Sequence, residues 1–164
     1  MEMVDIINEN NQVLYQIAKE EAHREGDLHR CIIAELLDSQ GNWILVKQSN
    51  ERQDAGQYVS PVGGHIQAGE TEEAALKRET QEEIGITAFT SKRIGEAIFN
   101  REVIGRKENH LFIVYVIYSD QIPKLNHECV GYKKFTPKQL KEDVSRYPQK
   151  FGSPLRFIYK TFYE

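Results

Sequence analysis

The stretch that decides the fold spans residues 64–86 and reads GHIQAGETEEAALKRETQEEIGI. Its central part, residues 71–84, contains neither glycine nor proline and is rich in residues that favour a helix. Gly85 follows directly and can end a helix in a left-handed conformation. The stretch therefore predicts a loop, a helix and a second loop.

One side of this predicted helix carries a narrow stripe for the core. Leu76, Thr80 and Ile84 recur at intervals of four residues and share one face. Thr80 is the polar member of the stripe, and its hydroxyl can hydrogen-bond back to the preceding helical turn. The helix should tolerate this threonine at a small cost in stability.

Another side of the helix concentrates negative charge. Glu79, Glu82 and Glu83 fall within one sector of about 100° on a helical wheel, where like charges repel. A divalent cation would reverse that repulsion, because Mg²⁺ binds oxygen ligands and works alongside substrate phosphates. The paired glycines Gly63 and Gly64 would let the backbone approach a ligand closely. From charge alone, a solvated acidic helix face explains the cluster equally well.

The acidity of the chain is confined to this region. The 164 residues include 21 Lys and Arg against 25 Asp and Glu, a formal charge of −4. Residues 70–83 alone carry six acids and two bases, so the remaining residues are formally neutral. This distribution argues against a general nucleic-acid binder, which would show a basic stripe.

Length, hydropathy and cysteine content narrow the class of protein. A chain of 164 residues suits one domain. The longest apolar-aromatic run, residues 111–118, is far shorter than the ~20 residues that a membrane helix needs, and no secretory signal is visible. Cys31 and Cys129 are the only cysteines, too few for a disulfide scaffold. We therefore expect a single soluble domain, residues 1–164, in the cytoplasm.

Outside the central stretch, strand and helix patterns alternate irregularly. Two pairs of apolar segments flank polar turns and predict hairpins, residues 4–7 with 12–15 and residues 29–37 with 43–47. Residues 111–118 should form a central buried strand, because their apolar side chains point both ways. We expect further strands at 58–62 (short at best), 94–103, 110–118 and 132–135, and further helices at 137–143 and 154–162. The pattern predicts an α+β protein with a mixed sheet packed between helices.

Residues 64–86 also resemble a known motif over their whole length. Gly64, Glu70 and residues 78–86 match the Nudix box, G-x5-E-x7-R-E-U-x-E-E-x-G-U, at every fixed polar and glycine position. Thr80 departs from the pattern, which has an aliphatic residue there. The resemblance implies a single Nudix hydrolase domain with an α+β Nudix fold, a mixed β-sheet sandwiched between helices (α/β/α).

The resemblance implies a metal-dependent hydrolase that cleaves a phosphoanhydride bond in a nucleoside diphosphate derivative or a related diphosphate. Such a substrate is anionic, and water attacks its phosphorus slowly unless that charge is neutralised. Mg²⁺ or Mn²⁺ would clamp the phosphate oxygens and lower the pKa of a bound water, which a carboxylate then deprotonates. The resemblance assigns the metal to Gly63, through a nearby backbone carbonyl, and to Glu79, Glu82 and Glu83.

Supporting roles around the metal follow from the same resemblance. Arg78 would orient Glu79, and Glu70 would pair with Arg78. Members of the family differ in which carboxylate acts as the general base. Glu79 and, outside the box, Glu128 are both candidates here.

Three further residues are candidates for contacting the substrate. Lys47 and Arg52 could reach its phosphates, although the simpler interpretation, which we prefer, is that they are solvated charges on a strand end and a loop. His65 follows the paired glycines and could face the pocket. Specificity would come from loops such as residues 48–57 and 119–128. The resemblance also allows a homodimer.

Outside the box, residues 5–13 and 21–30 are similar to the type 1 isopentenyl-diphosphate isomerases. Those isomerases bind a metal through histidines and glutamates, which the resemblance matches to His23, His29, His65 and Glu128. His29 could instead hydrogen-bond a backbone carbonyl. The isomerases also use a catalytic cysteine, and its position holds Gly63 here. We therefore expect a hydrolase, with an isomerase-like enzyme or a non-catalytic nucleotide-binding Nudix module as the alternatives.

Overall fold

Two parallel strands form the centre of the molecule. In the computed structural model, which describes residues 1–164, β3 (His29–Leu37) and β8 (Arg106–Tyr118) run side by side over nine residue pairs. Residues 111–117 are buried without interruption, which is typical of a strand covered on both faces. The prediction of a central buried strand is confirmed.

Seven more strands complete one mixed, nine-stranded sheet. They are β1 (Met3–Ile7), β2 (Val13–Ala18), β4 (Trp43–Gln48), β5 (Tyr58–Val59), β6 (Val62–His65), β7 (Thr90–Val103) and β9 (Cys129–Phe135). The antiparallel pairs β1–β2 and β3–β4 confirm both predicted hairpins. The strand β8 also pairs antiparallel with β7, and β9 pairs antiparallel with β4.

Helices cover both faces of the sheet. The helix α2 (Glu72–Ile84) packs on the face that carries Ile32, whereas α4 (Ser153–Ile158) packs on the face that carries Ile33. Successive strand residues point to opposite faces, so the predicted sandwich of a sheet between helices is confirmed. No helix is long and apolar enough to cross a membrane. The remaining helical elements are α1 (Lys19–Glu25), α3 (Pro137–Arg146), a 3-10 turn (Pro148–Lys150) and a π-helical turn (Tyr159–Tyr163).

Local chemistry fixes both ends of α2. The Thr71 hydroxyl accepts a hydrogen bond from the backbone N–H of Ala74 at 3.1 Å, as an N-cap residue does. Gly85 has a φ of 63°, and its N–H donates to the carbonyl of Gln81. Gly85 thus ends the helix as predicted, and the predicted helix bounds agree with the structure to within one residue.

Other elements differ from the expectations. The helix α1 has no counterpart among the predicted elements. Residues 58–62 do not form one short strand, because Pro61 separates β5 from β6. The predicted C-terminal helix begins at Ser153 and becomes the π-helical turn after Ile158. These differences change the edges of elements but leave the layers as expected.

Thr80 occupies the core with its hydroxyl unpaired. The residue is fully buried, and its Oγ1 has no hydrogen-bond partner. The hydrogen bond that its hydroxyl could make to the preceding helical turn is therefore not formed. A buried polar group without a partner lowers the free energy of unfolding, which makes Thr80 a weak point of α2.

We expect Thr80→Val to raise the free energy of unfolding by about 1 kcal/mol, because it removes the unpaired hydroxyl and keeps the side-chain shape. Urea denaturation measures the change. Thr87→Val is the matched control, since Thr87 is exposed and its substitution should have little effect. A destabilised Thr80→Val variant would contradict this account and imply a partner for the hydroxyl.

Candidate active site

The strand β6 holds two glycines against the helix α2. Gly64 pairs with Ile32 of β3, so the sheet fixes its position. A Cβ atom at Gly64 would lie 2.5 Å from Oε2 of Glu79 and closer still to the other carboxylate atoms. At Gly63 a Cβ atom would meet Ile33 at an ordinary 3.9 Å. Only glycine at position 64 therefore leaves room for the Glu79 carboxylate.

Arg78 joins the loop before α2 to the carboxylates on it. Its guanidinium donates two hydrogen bonds to the Glu70 carboxylate, both at 2.9 Å. It also donates to the carbonyl of His65 at 3.0 Å and to Oε1 of Glu79 at 2.6 Å. Bidentate arginine–carboxylate pairs restrict orientation as well as distance. Arg78 thus holds Glu70, the end of β6 and Glu79 in one arrangement.

Burial deprives two of the box carboxylates of solvation. It raises the pKa of Glu79 to about 7, although Arg78 opposes the shift. It also raises the pKa of Glu83 to about 8, and the negative charges of Glu79 and Glu128 add to that shift. Glu82 differs, because 60% of its side chain is exposed. Carboxylates that repel one another in a partly dry site favour a bound cation, and their oxygens fit a hard divalent ion.

A cavity of about 600 Å³ opens over these carboxylates. Lys47 is exposed on β4 and does not line the cavity, so the structure does not bring it to the other predicted residues. The predicted site residues that do line it are Arg52, Gly63, His65, Arg78, Glu79, Glu82, Glu83 and Glu128.

The loop of residues 49–57 forms one wall of the cavity and is held at two points. Arg52 donates a hydrogen bond to Oε1 of Glu128 at 2.8 Å. Asp54 accepts two hydrogen bonds from Arg101 of β7, at 2.8 and 3.0 Å. These ion pairs tie the loop to β7 on one side and to the segment before β9 on the other. The two ion pairs thereby fix the loop in the wall of the cavity.

Four histidines converge beside the same cavity, which two of them, His65 and His110, line. The ring nitrogens that face one another, from His23, His29, His65 and His110, all lie within 4.8 Å of one another. Nε2 of His23 lies 3.0 Å from Nε2 of His65 and 3.3 Å from Nε2 of His110. Nδ1 of His29 lies 2.8 Å from the carbonyl of Asp27, whereas its buried Nε2 has no partner. Such convergent imidazole nitrogens can hold a metal ion.

Burial keeps these histidines neutral near pH 7. It lowers the pKa of His23 to about 4 and that of His110 to about 2, and it also lowers the pKa values of His29 and His65. Neutral imidazole is the form that binds metals. For His29, the hydrogen bond to the Asp27 carbonyl places the ring proton on Nδ1 and leaves Nε2 as an acceptor.

The histidine cluster contains three of the four residues that the isomerase resemblance implied. The structure brings His23, His29 and His65 together, but Glu128 pairs with Arg52 instead. His110 takes part although no sequence argument singled it out. It pairs with His29 in the register of β3 and β8, and such a long-range pairing leaves no local signal in the sequence.

Comparisons with known proteins agree with this fold and site. Residues 27–152 match the NUDIX domain family. The chain is 28% identical over 153 residues to the isopentenyl-diphosphate Delta-isomerase of Serratia proteamaculans (strain 568). This alignment covers 92% of the chain and 85% of the isomerase. The chain is also 33% identical over 100 residues to the uncharacterized Nudix hydrolase YfcD of Escherichia coli (strain K12). That alignment covers 60% of the chain and 55% of YfcD.

A solved structure extends the likeness to the whole fold. The crystal structure of DR0079 from Deinococcus radiodurans matches with a TM-score of 0.79 and 26% identity, covering 99% of this chain and 100% of that chain. The fold and the complete box define an enzyme of the Nudix hydrolase class. The chain belongs to the Nudix family, has the Nudix fold, and resembles the branch that contains isopentenyl-diphosphate isomerases. Its function is of the pyrophosphohydrolase type.

We expect Gly64→Ala to weaken Mn²⁺ binding at least ~10-fold, because the added methyl group displaces the Glu79 carboxylate. Calorimetry or the paramagnetic resonance of free Mn²⁺ measures the change. Gly63→Ala is the matched control on the neighbouring residue and should bind Mn²⁺ normally. Equal affinities of the two variants would show that the close approach of Gly64 to Glu79 does not matter.

Metal binding at the box should also release protons. With pKa values of about 7 for Glu79 and about 8 for Glu83, roughly 1.4 protons in total leave the protein when a cation binds at pH 7. Titration with Mg²⁺ in weak buffer should therefore acidify the solution, and less so at pH 9. Glu83→Gln should reduce the release, whereas Glu73→Gln, at an exposed position of the same helix, should not. An unchanged pH in the unmodified protein would contradict the raised pKa values.

Proposed function

We propose that the protein is a Mg²⁺- or Mn²⁺-dependent hydrolase that cleaves a phosphoanhydride bond in a nucleoside diphosphate derivative or a related diphosphate. The observation that carries this proposal is the arrangement of Glu79, Glu82 and Glu83 along one cavity, with Glu79 held by Arg78. Hard oxygen donors beside a cavity suit an ion that must also bind phosphate oxygens.

Different residues of the chain would bind the metal ion and position its ligands. Glu79, Glu82 and Glu83, together with a backbone carbonyl near Gly63, would hold the ion. When bound, the ion would neutralise the diphosphate and lower the pKa of an attacking water. Arg78 holds the Glu79 carboxylate in place, because the Arg78 guanidinium is itself fixed by the two hydrogen bonds that it donates to Glu70.

The general base is Glu79 or Glu128. Glu79 lines the cavity beside the other box carboxylates and accepts a hydrogen bond from Arg78. Glu128 also lines the cavity, but its carboxylate already accepts a hydrogen bond from Arg52. Arg52 and His65 are proposed to contact the substrate from their places in the cavity wall.

The histidine cluster favours a second candidate function. The isopentenyl-diphosphate isomerase relatives span most of this chain, and four convergent imidazoles could hold a second divalent ion. An isomerase also needs an acid to protonate its substrate, and Gly63 supplies no side chain for this purpose. The hydrolase therefore remains the first proposal, and an isomerase or a non-catalytic nucleotide-binding module remains an alternative.

Further expectations accompany the proposed function. A small-molecule diphosphate is the proposed partner, and general nucleic-acid binding is not expected. A single domain over residues 1–164, a cytoplasmic location and a homodimer stay predictions. Cys31 and Cys129 are both free thiols, as a reducing compartment would allow.

A substrate panel tests the proposed function. The protein is incubated with Mg²⁺ or Mn²⁺ and nucleoside di- and triphosphates, nucleotide sugars, dinucleotides or isopentenyl diphosphate, and phosphate and isomerised products are measured together. We expect metal-dependent hydrolysis that Glu83→Gln reduces at least ~100-fold, while the exposed Glu73→Gln control keeps full activity.

The panel also separates the alternatives. Proton exchange into isopentenyl diphosphate without phosphate release would favour the isomerase. Tight nucleotide binding without turnover would favour the non-catalytic module. Either result would overturn the proposed hydrolase.

A further inference from the structure

A carboxyl group lies buried beneath the cavity and has no role in the proposed chemistry. Glu35 sits in the middle of the central strand β3 and is 0% exposed. Residues two positions apart on a strand share a face, so Glu35 lies on the side of Ile33, which packs in an apolar cluster against α4. No cation pairs with Glu35. Burying such a group in an apolar layer costs stability, so its presence calls for a compensating function.

Two polar groups face this carboxyl. The hydroxyl of Ser60 donates a hydrogen bond to Oε1 of Glu35, whereas Oε2 has no partner. The Tyr163 hydroxyl is buried without a partner, and the charge of Glu35 helps to raise its pKa. Burial raises the pKa of Glu35 to about 7. The one contact that Glu35 makes toward the cavity is therefore Ser60.

Ser60 connects the buried carboxyl to the cavity. It lies between β5 and β6, is 9% exposed and lines the cavity. Its neighbour Val59 pairs with Val46 of β4, and both also line the cavity. Leu155 at the start of α4 belongs to the same lining. Ser60 is thus a hydroxyl beside apolar side chains, in a cavity lining that also includes the charged Asp54 and Arg101.

The bond to Glu35 restricts what Ser60 can do. A serine hydroxyl has one hydrogen to donate and two lone pairs that accept. While Glu35 is ionised, the Ser60 hydrogen is committed to its carboxylate, so the side of Ser60 that faces the cavity can only accept. Phosphate oxygens are acceptors too, so this wall would not favour the diphosphate. It would favour a hydrogen-bond donor on an otherwise apolar or aromatic group.

We propose that Ser60 is a specificity-determining residue, which accepts a hydrogen bond from a hydroxyl, amine or N–H donor on the organic part of the substrate. Glu35 is the positioning residue that fixes the orientation of the Ser60 hydroxyl. The inference rests on the proposed function, since it concerns the part of the same substrate that is not the diphosphate. A site with an aligned acceptor rejects an analogue that lacks the donor, because its polar group then stays unpaired.

Steady-state kinetics with nucleotide analogues tests the proposal. The substrates are ADP and three analogues that each lack one donor, namely the 2′-deoxy and 3′-deoxy compounds and the compound without the 6-amino group. We expect Ser60→Ala to raise KM about five- to tenfold for ADP, to leave KM unchanged for one of these analogues, and to change kcat little. Ser91→Ala, at an exposed position of β7, is the matched control.

Glu35 variants separate positioning from structural support. Glu35→Leu removes a buried carboxyl and should fold at least as well, but it frees the Ser60 hydroxyl to rotate and should reduce the discrimination between ADP and the same analogue. Glu35→Gln keeps an acceptor oxygen for Ser60 and should retain the discrimination. Thermal unfolding of each variant shows whether it is folded.

Each outcome supports or overturns one statement. A KM effect of Ser60→Ala that is equal for all four nucleotides, or absent, overturns the role of Ser60, and unchanged discrimination in Glu35→Leu overturns the role of Glu35. Failure of the unmodified protein to hydrolyse any substrate of the wider panel overturns the proposed function and this inference with it. Hydrolysis by the unmodified protein without these KM effects overturns this inference alone.

Discussion

The guanidinium of Arg78 is the interaction on which the rest of the site depends. It joins Glu70 in the loop, the carbonyl of His65 at the end of β6, and Glu79 on α2. Without it, two glycines and a helix would still pack on the sheet, but nothing would aim the Glu79 carboxylate at Gly64. A charged group that makes several hydrogen bonds in a partly buried place fixes geometry more than it adds stability.

The electrostatics of the cavity follow from where that geometry places charge. Glu79 and Glu83 lie at one part of the cavity and the histidine cluster lies beside another, and burial raises the pKa values of these two carboxyls and lowers those of the imidazoles. Both shifts have one cause, since a low dielectric disfavours every charged form. The result is a site in which Glu79 and Glu83 are partly protonated near neutral pH, whereas the histidines of the cluster are neutral. Cations would bind favourably at both places, hard ions at the carboxylate oxygens and borderline ions at the imidazole nitrogens.

The sequence predicts what local chemistry determines. The bounds of α2 follow from Thr71, Gly85 and the residues between them, and the buried strand 111–118 follows from its unbroken apolar run. Arrangements that depend on distant pairing were missed. His110 joins the cluster only through the register of β3 and β8, Lys47 points away from the cavity because of the strand it sits on, and Thr80 lacks the hydrogen bond that its local sequence suggested.

The most direct test of the central claim is the location of bound ions in crystals of the protein grown with Mn²⁺. The account predicts an anomalous diffraction peak bound by carboxylate oxygens of Glu79, Glu82 and Glu83, with Arg78 still contacting Glu79. A peak at the histidine cluster alone, or a box whose carboxylates bind no ion at saturating Mn²⁺, would contradict the claim that these glutamates form the hydrolytic metal site.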